Sequence, residues 1–184
     1  GSSPTSASTR SATGSATVQN SANNGSFYFK TFMLYQMAAG SLSDGRLTIL
    51  LQNFDTNNVA TYWGGGISNA GTMKMTNSTL SDNQAILGGG IIGYSGTLTV
   101  SGSSFTGNSA TSNGGGIYNF YGSTATLTNC TLASNSANYY GGGVGNEYYS
   151  TLILGNTIIA GNSASFGGPD VYGGVSSSGG NLIG

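Results

Sequence analysis

The stretch that decides the fold is GTLTVSGSSFTGNSA, residues 96–110, which the glycine triplet at 114–116 follows. Copies of both parts recur along the chain. Each glycine triplet begins at one of five glycines, the last in an altered copy: Gly64, Gly88, Gly114, Gly141 and Gly167. A box with an apolar residue and, three positions later, an asparagine recurs in step, with Asn57, Asn83, Asn108, Asn135 and Asn162. Two independent markers that share a period of about 26 residues indicate a repeat architecture.

Within each copy, apolar and polar residues alternate, as in Leu98 and Val100 or Met73 and Met75. An alternation with a period of two is typical of a half-buried strand. A second apolar position lies in the asparagine box, and a third strand is expected to start after the glycines, for example at Ile117. The pattern therefore predicts an all-β chain, a single-stranded right-handed parallel β-helix of about six coils with three short strands in each coil.

The corners of such a coil need residues that tolerate a positive φ, and glycine and asparagine do so more readily than other residues. Stacked coils place equivalent residues above one another at about 4.8 Å. We therefore expect the five box asparagines to form a ladder in which each side-chain amide bonds to the next.

The glycine triplet followed by Ile, together with the box that reads FxxNxA, resembles the polymorphic outer membrane protein repeat. The ending, from Asn156 through Asp170 to Gly184, resembles secreted bacterial proteins with "choice-of-anchor" β-helix domains. The two resemblances cover residues 45–184. They imply a right-handed β-helix in an exported, surface-associated protein, and they imply no catalytic residues.

Composition excludes several classes of function. The chain has four Lys and Arg residues, five Asp and Glu residues and no His. A nucleic-acid-binding protein needs more cations than this to neutralise phosphates. The lack of histidine removes the commonest general base and metal ligand. No stretch reaches the about 20 apolar residues of a membrane-spanning helix. We therefore expect no enzymatic activity, no cofactor, no nucleic-acid partner and no transmembrane segment.

The chain divides into three parts: a Ser/Thr-rich arm at 1–19, a degenerate first coil with an aromatic insertion at 20–44, and the regular repeats at 45–184. The insertion at 27–39 fits either a helix or a strand. Aromatic and aliphatic residues near both ends are candidate subunit contacts, because such residues are enriched at interfaces. They are Phe27, Phe29, Phe32, Leu34, Leu182 and Ile183.

Three other features are compatible with a specific site. Asp55 and Asp82 fall near each other in successive coils, but a turn role is the simpler interpretation of both. Exposed tyrosines could form a platform for surface glycans or a protein partner, although Tyr also suits any exposed strand. Threonines form columns on the outward side of the first strand, as in ice-binding solenoids, and Lys74 and Ile153 interrupt them. The single cysteine, Cys130, aligns with small residues and is expected to be buried.

These observations favour an extracellular structural protein of the cell surface. Our leading hypothesis is a subunit that stacks head to tail with further copies of itself into a fibre, because a low net charge gives little repulsion between copies. The alternative is a monomeric surface adhesin or passenger-type domain. Ice binding and action on a polysaccharide are weaker alternatives.

Overall fold

The structure is a computed structural model of the 184-residue chain. It describes the backbone of residues 32–34 and 46–49 and all of residues 57–184. These residues form strands and turns and no helix, and every pair of strands is parallel. The predicted fold class, an all-β parallel β-solenoid, is confirmed.

The strands stack into four sheets that run the length of the solenoid. Sheet one contains Arg46–Ile49, Thr72–Thr76, Thr97–Ser101, Thr124–Thr128, Thr151–Gly155 and Ser176–Ser177. Sheet two contains Thr79–Ser81, Ser104–Thr106, Thr131–Ala133, Ile158–Ala160 and Leu182–Ile183. Sheet three contains Gln84–Ala85, Ser109–Ala110, Ser136–Ala137 and Ser163–Ala164. Sheet four contains Phe32–Leu34, Ile67–Asn69, Ile91–Tyr94, Ile117–Phe120, Val144–Asn146 and Val171–Tyr172.

Two details of the predicted coil are wrong. Each coil contributes four strands rather than three, because the residues just after the box asparagine, such as Ser109–Ala110, form a short strand of their own. The described residues make about four turns of about 27 residues, not six. The outermost strands of the two six-stranded sheets are Phe32–Leu34 and Arg46–Ile49 on one side and Val171–Tyr172 and Ser176–Ser177 on the other.

Apolar side chains of all the coils meet in one interior. Leu98 and Val100 of sheet one are buried, as are Phe105 of sheet two and Ile117 of sheet four. The intervening residues of sheet one, such as Thr97 and Thr99, point outward and are at least partly exposed. The alternation in the sequence therefore predicts which side of the strand faces the core.

The glycine triplet makes a tight corner between sheets three and four. Gly114 has a φ of 69°, in the left-handed region that glycine enters without steric cost. The second glycine of a triplet packs against the backbone of the next coil. In the triplet at 88–90, for example, a Cβ on Gly89 would lie 2.5 Å from the carbonyl oxygens of Gly115 and Ser109. A side chain at this position would therefore push successive coils apart.

The corner position of the last triplet is Gly168, not the predicted Gly167. Gly168 has the positive φ of 55°, whereas Gly167 pairs with Tyr140, the residue before the preceding corner. The sequence does not distinguish the two residues, because adjacent glycines have the same conformational freedom. Only the pairing between coils decides which of them forms the corner.

The box asparagines form the predicted ladder in the interior. The Nδ2 of Asn83 donates to the Oδ1 of Asn108 at 2.9 Å, and the Nδ2 of Asn108 donates to the Oδ1 of Asn135 at 2.9 Å. The same Oδ1 atoms accept the backbone N–H of the preceding asparagine. The second proton of the Asn108 amide is donated to the Leu80 carbonyl at 2.9 Å. The Asn108 amide therefore ties together three successive coils and uses both of its side-chain N–H groups in an apolar core.

Among the described residues, the first member of the ladder is Asn58, so the predicted member Asn57 is wrong by one residue. Asn58 is buried and its Nδ2 donates to the Oδ1 of Asn83 at 3.0 Å. Asn57 is exposed and has a φ of 55°, matching the left-handed Asp82 one coil later. Two neighbouring asparagines suit the two roles equally well, and the register between coils decides which takes which.

A carboxylate takes the next place in the ladder. The Oδ1 of Asp170 accepts the backbone N–H of Asn162 at 3.0 Å and its Nδ2 at 2.7 Å. Asp170 is buried, and it follows Asn162 by eight residues rather than by a full coil. Because a carboxylate accepts but does not donate, Asp170 satisfies Asn162 without passing the hydrogen-bond chain on.

A second column of buried asparagines lies in sheet four. The Nδ2 of Asn119 donates to the Oδ1 of Asn146 at 2.8 Å. Asn69 is buried at the equivalent place in an earlier coil, but Gly93 stands between it and Asn119 in the register. These asparagines secure the turn into sheet one by donating to carbonyls beyond it, such as Thr151 O at 2.9 Å.

A serine follows each of the last two members of this column, and the two serines differ. The Oγ of Ser123 accepts the Phe120 N–H at 2.9 Å and lies 2.6 Å from the Oδ1 of Asn119. The Oγ of Ser150, at the same place one coil later, is buried and has no hydrogen-bond partner among the described residues.

The parts of the chain that precede residue 57 can be compared with the predictions at a few residues only. Phe32–Leu34 is a strand in register with Ile67–Asn69, so this piece of the insertion is a strand and belongs to the chain's own sheet four. Phe27, Phe29, Asp55 and the whole arm at 1–19 lie outside the described residues.

We expect Asn108→Ala to lower the free energy of unfolding by about 1–3 kcal/mol. The change leaves the buried Nδ2 of Asn83 and the carbonyl of Leu80 without the hydrogen bonds that Asn108 makes to them. Urea-induced unfolding measures the change. Asp82→Gly is the matched control at the same corner: its φ of 55° suits glycine, which occupies the equivalent place at Gly107. Equal stabilities for the two variants would contradict the ladder.

The two serines provide a second comparison. Ser123→Ala should destabilise the chain by about 1–3 kcal/mol, because it leaves buried partners unsatisfied. Ser150→Ala removes a hydroxyl that has no partner, so thermal unfolding should show a change near zero or a small gain. A similar loss in both variants would show that Ser150 does form a hydrogen bond.

Candidate functional site: the outer aromatic face

The outward side of sheet four carries a second apolar layer, outside the core. In the strand Ile117–Phe120, Ile117 belongs to the core cluster and Asn119 to the buried column, so Tyr118 and Phe120 point to the other side. Tyr118 and Ile92 are nonetheless buried, and neither is part of the core cluster. Other side chains on the outside of the solenoid must therefore cover them.

Aromatic rings contribute to that cover, since the ring of Phe120 stacks on that of Tyr118 with centroids 5.2 Å apart. We call this surface the outer aromatic face; it consists of Trp63, Tyr94, Tyr118, Phe120, Tyr121 and Tyr148. The rings of Trp63 and Tyr94 stack with centroids 5.4 Å apart, and Tyr94 stacks on Tyr121 at 5.4 Å with the ring planes 5° apart. Phe120 meets Tyr148 edge to face at 4.8 Å. Contacts of this kind stabilise a fold beyond the area they bury.

The face is only partly closed to solvent. Tyr121 and Tyr148 are 57% and 58% exposed, and Trp63 is 43% exposed. Tyr94, Tyr121 and Tyr148 come from three successive coils, so at about 4.8 Å per coil the rings extend about 10 Å along the solenoid axis. The structure thus presents an elongated strip of rings.

The strip ends at an unusual turn. The backbone N–H of Ser150 donates to the Glu147 carbonyl at 3.3 Å and closes a four-residue turn around Tyr148 and Tyr149. Both tyrosines have positive φ values, 53° and 62°. A turn with two left-handed central residues normally contains Asn and Gly, and a side chain there costs roughly 1–2 kcal/mol.

The preceding coil shows the ordinary solution. Its equivalent turn has the same length and contains Tyr121 and Gly122, with φ values of 56° and 72°. Tyr149 therefore occupies a place that glycine fills one coil earlier. It is 100% exposed and makes no ring contact with a described residue, so no packing of its ring offsets the cost of the left-handed conformation.

A polar cluster lies on the same face, next to the turn tyrosines. The Nδ2 of Asn113 donates to the Oε1 of Glu147 at 3.0 Å, and the Tyr118 hydroxyl donates to its Oε2 at 3.3 Å. Burial raises the pKa of the Glu147 carboxyl, and the two hydrogen bonds partly offset that effect. Burial also raises the pKa of Tyr118, and the nearby Glu147 charge adds to the rise, so the phenol stays protonated and donates.

The remaining candidates from the sequence do not assemble into a site. Asp82 sits in a left-handed turn opposite Asn57 and Gly107, which agrees with its interpretation as a turn residue. Cys130 is buried as predicted, and burial raises the pKa of its thiol. Among the residues that the structure describes, no three of the His, Cys, Asp and Glu side chains are grouped so that they could hold a metal ion. Nor does any helix in this part of the chain reach the length and apolarity needed to cross a membrane.

The threonine columns of sheet one lie in register as expected. Thr72, Thr97, Thr124 and Thr151 are neighbours from coil to coil. The second column reads Thr48, Lys74, Thr99, Thr126, Ile153 and Ser176, so Lys74 and Ile153 interrupt the hydroxyl array. The interrupted lattice gives ice binding no further support.

Six tyrosines form the candidate platform of the sequence: Tyr118, Tyr121, Tyr139, Tyr140, Tyr148 and Tyr149. The structure brings Tyr118, Tyr121 and Tyr148 to the outer aromatic face, whereas Tyr149 makes no ring contact with a described residue. Tyr139 and Tyr140 stack with Phe166 and Tyr172, away from the strip. The sequence did not reveal Trp63, Tyr94 and Phe120 as members of the face. The alternation within the strands of sheet four could have identified Tyr94 and Phe120, because each stands at an outward position next to residues that face inward.

No family model, curated protein or solved structure significantly matches this chain.

Proposed function

We propose that this chain is an extracellular, surface-associated β-solenoid that acts by binding and not by catalysis, in the manner of an adhesin. The observation that carries the proposal is the outer aromatic face, a strip of half-exposed rings on a rigid sheet. Ring clusters of this size are enriched where proteins bind partners, and single exposed residues are not. The resemblance of the repeats to those of exported surface proteins supports the location.

The solenoid suits this role because its rigidity is independent of the outer face. The interior is held by core side chains and by the asparagine ladder. The rings on the outside are therefore positioned in advance, and binding need not order them, which lowers its entropic cost. Tyr94 and Phe120 lie on strands of sheet four, and the exposed rings of Tyr121 and Tyr148 lie in the turns that follow strands of that sheet.

The proposal can be tested by displaying the chain on a non-adherent cell and measuring attachment to a panel of cell surfaces and matrix-coated plates. The double variant Tyr121→Gly, Tyr148→Gly should lose attachment, because it removes exposed rings at two positions whose φ values suit glycine. Phe166→Ser removes a 68% exposed ring from the other cluster and should attach normally.

Two results would contradict the proposal. One is full attachment by the double variant Tyr121→Gly, Tyr148→Gly, which would show that the exposed rings are not needed. The other concerns location: antibody against the chain should label intact cells of its source, and labelling that requires permeabilisation would place the protein inside the cell.

Self-assembly into a head-to-tail fibre is a second candidate. The observation that favours it is the strand Leu182–Ile183, which pairs with Ile158–Ala160 on one side and leaves Leu182 57% and Ile183 45% exposed. An apolar edge strand is a template for another chain. The ladder argues the other way, since Asp170 ends it within the chain.

Sedimentation velocity and negative-stain microscopy of the purified chain distinguish the two candidates. A fibre predicts filaments that disappear in the variant Leu182→Lys, Ile183→Lys, because charges on an edge strand oppose pairing. Monomeric particles at all concentrations would rule out the fibre and leave the binding role intact.

A further inference from the structure

The outer aromatic face and the turn beside it also bear on the class of ligand. We propose that the face binds a neutral polysaccharide chain, with Tyr149 as an exposed stacking platform and Glu147 as a hydrogen-bond acceptor for sugar hydroxyls. This inference rests on the binding role proposed above and goes one step further.

The conformation of the turn supports this ligand class. Tyr149 holds a left-handed conformation that glycine adopts at the equivalent Gly122, and its ring is fully in solvent. Tyr148, its neighbour, shares the left-handed conformation but packs on Phe120. Strain that brings no packing within the chain is typical of residues that contact a ligand. An exposed phenol ring suits the flat apolar side of a sugar ring, because the face of the ring carries partial negative charge and attracts C–H groups.

The carboxylate of Glu147 also supports this ligand class. Its two oxygens accept one hydrogen bond each, from Asn113 and Tyr118. A carboxylate has about four acceptor sites, so about two remain. Glu147 is partly exposed and precedes the turn tyrosines directly. A ligand rich in hydroxyl donors can use these sites, and hydrogen bonds to an ionised acceptor are the stronger kind.

The same features disfavour other occupants. A nucleic acid also stacks on aromatic rings but needs cations along its backbone, and the chain has four Lys and Arg residues in all. A proline-rich peptide fits an aromatic groove but offers few donors, so it would bury the Glu147 carboxylate without partners. An acidic glycan would meet Glu147 with like charge. A neutral polysaccharide satisfies the rings and the carboxylate together, and the elongated strip suits a linear chain of sugars.

The inference is testable by affinity electrophoresis of the 184-residue chain in native gels that contain soluble polysaccharides. The panel includes a mannan, a β-glucan, a galactan and a xylan as neutral chains, with polygalacturonate as the acidic one. A polyproline peptide is tested in parallel by fluorescence titration. The wild-type chain should be retarded by at least one neutral polysaccharide and should bind neither polygalacturonate nor the peptide.

Tyr149→Gly is the decisive variant, because glycine suits its φ of 62°. Its melting temperature should equal or exceed that of the wild type, while its affinity for the neutral polysaccharide falls about fivefold, the loss of one stacking contact. Glu147→Gln keeps the shape and one acceptor oxygen and should also weaken binding. Phe166→Ser, in the other cluster, should bind like the wild type.

The outcomes separate this inference from the function on which it rests. If no neutral polysaccharide binds, or if Tyr149→Gly binds as tightly as the wild type, the ligand class or the role of Tyr149 is wrong. If the peptide or the acidic glycan binds instead, and the ring variants lose cell attachment, the binding function stands with a different ligand. If the ring variants keep attachment as well, both proposals fail.

Discussion

The hydrogen bond from one buried asparagine amide to the next is the interaction on which the rest of the structure depends. Each Oδ1 in the ladder accepts both a side-chain and a backbone N–H from the coil before it, as Asn135 does from Asn108 at 2.9 and 3.0 Å. A polar group in an apolar interior is tolerated only when it is satisfied in this way. The ladder therefore sets the register of the coils, and with it the alignment of every column on the outside.

That alignment separates the tasks of the two sides of the solenoid. The interior columns mostly repeat side chains of one kind from coil to coil, as Leu80, Phe105, Leu132 and Ile159 do. The outside carries no such constraint, and here successive coils differ: the column that contains Tyr118 has Ile92 before it and Gly145 after it. The missing side chain at Gly145 leaves room for the Tyr118 ring, which lies over it. A binding surface can thus change along the axis while the core stays regular.

The sequence predicts the regular parts of this fold because two markers repeat together. It does not separate Asn57 from Asn58, or Gly167 from Gly168, because neighbouring residues of one type suit the same corner and only pairing between coils selects one. It also does not reveal Asp170 as the ladder's last acceptor, since that residue follows Asn162 by eight positions, outside the period. The column of Asn69, Asn119 and Asn146 could have been found from the Ile or Val two positions before each, but Gly93 interrupts it.

The candidate site is less predictable for a related reason. The tyrosines are visible in the sequence, but a Tyr-Tyr pair is no turn signal, and the left-handed conformation of Tyr148 and Tyr149 follows from the turn of equal length at Tyr121 and Gly122. Likewise, Glu147 reads as one of few charges, and only the fold brings it to Tyr118 and Asn113. Both features depend on contacts between residues about one coil apart.

The most direct measurement of the central claim is hydrogen exchange of the asparagine side chains, followed by NMR. If the ladder holds the coils together, the Nδ2 protons of Asn83, Asn108 and Asn135 should exchange as slowly as the backbone amides of the core strands, because both open only when the solenoid opens. The exposed amide of Asn77 should exchange at the rate of a free side chain. Fast exchange of the ladder amides, with the core strands still protected, would contradict the account.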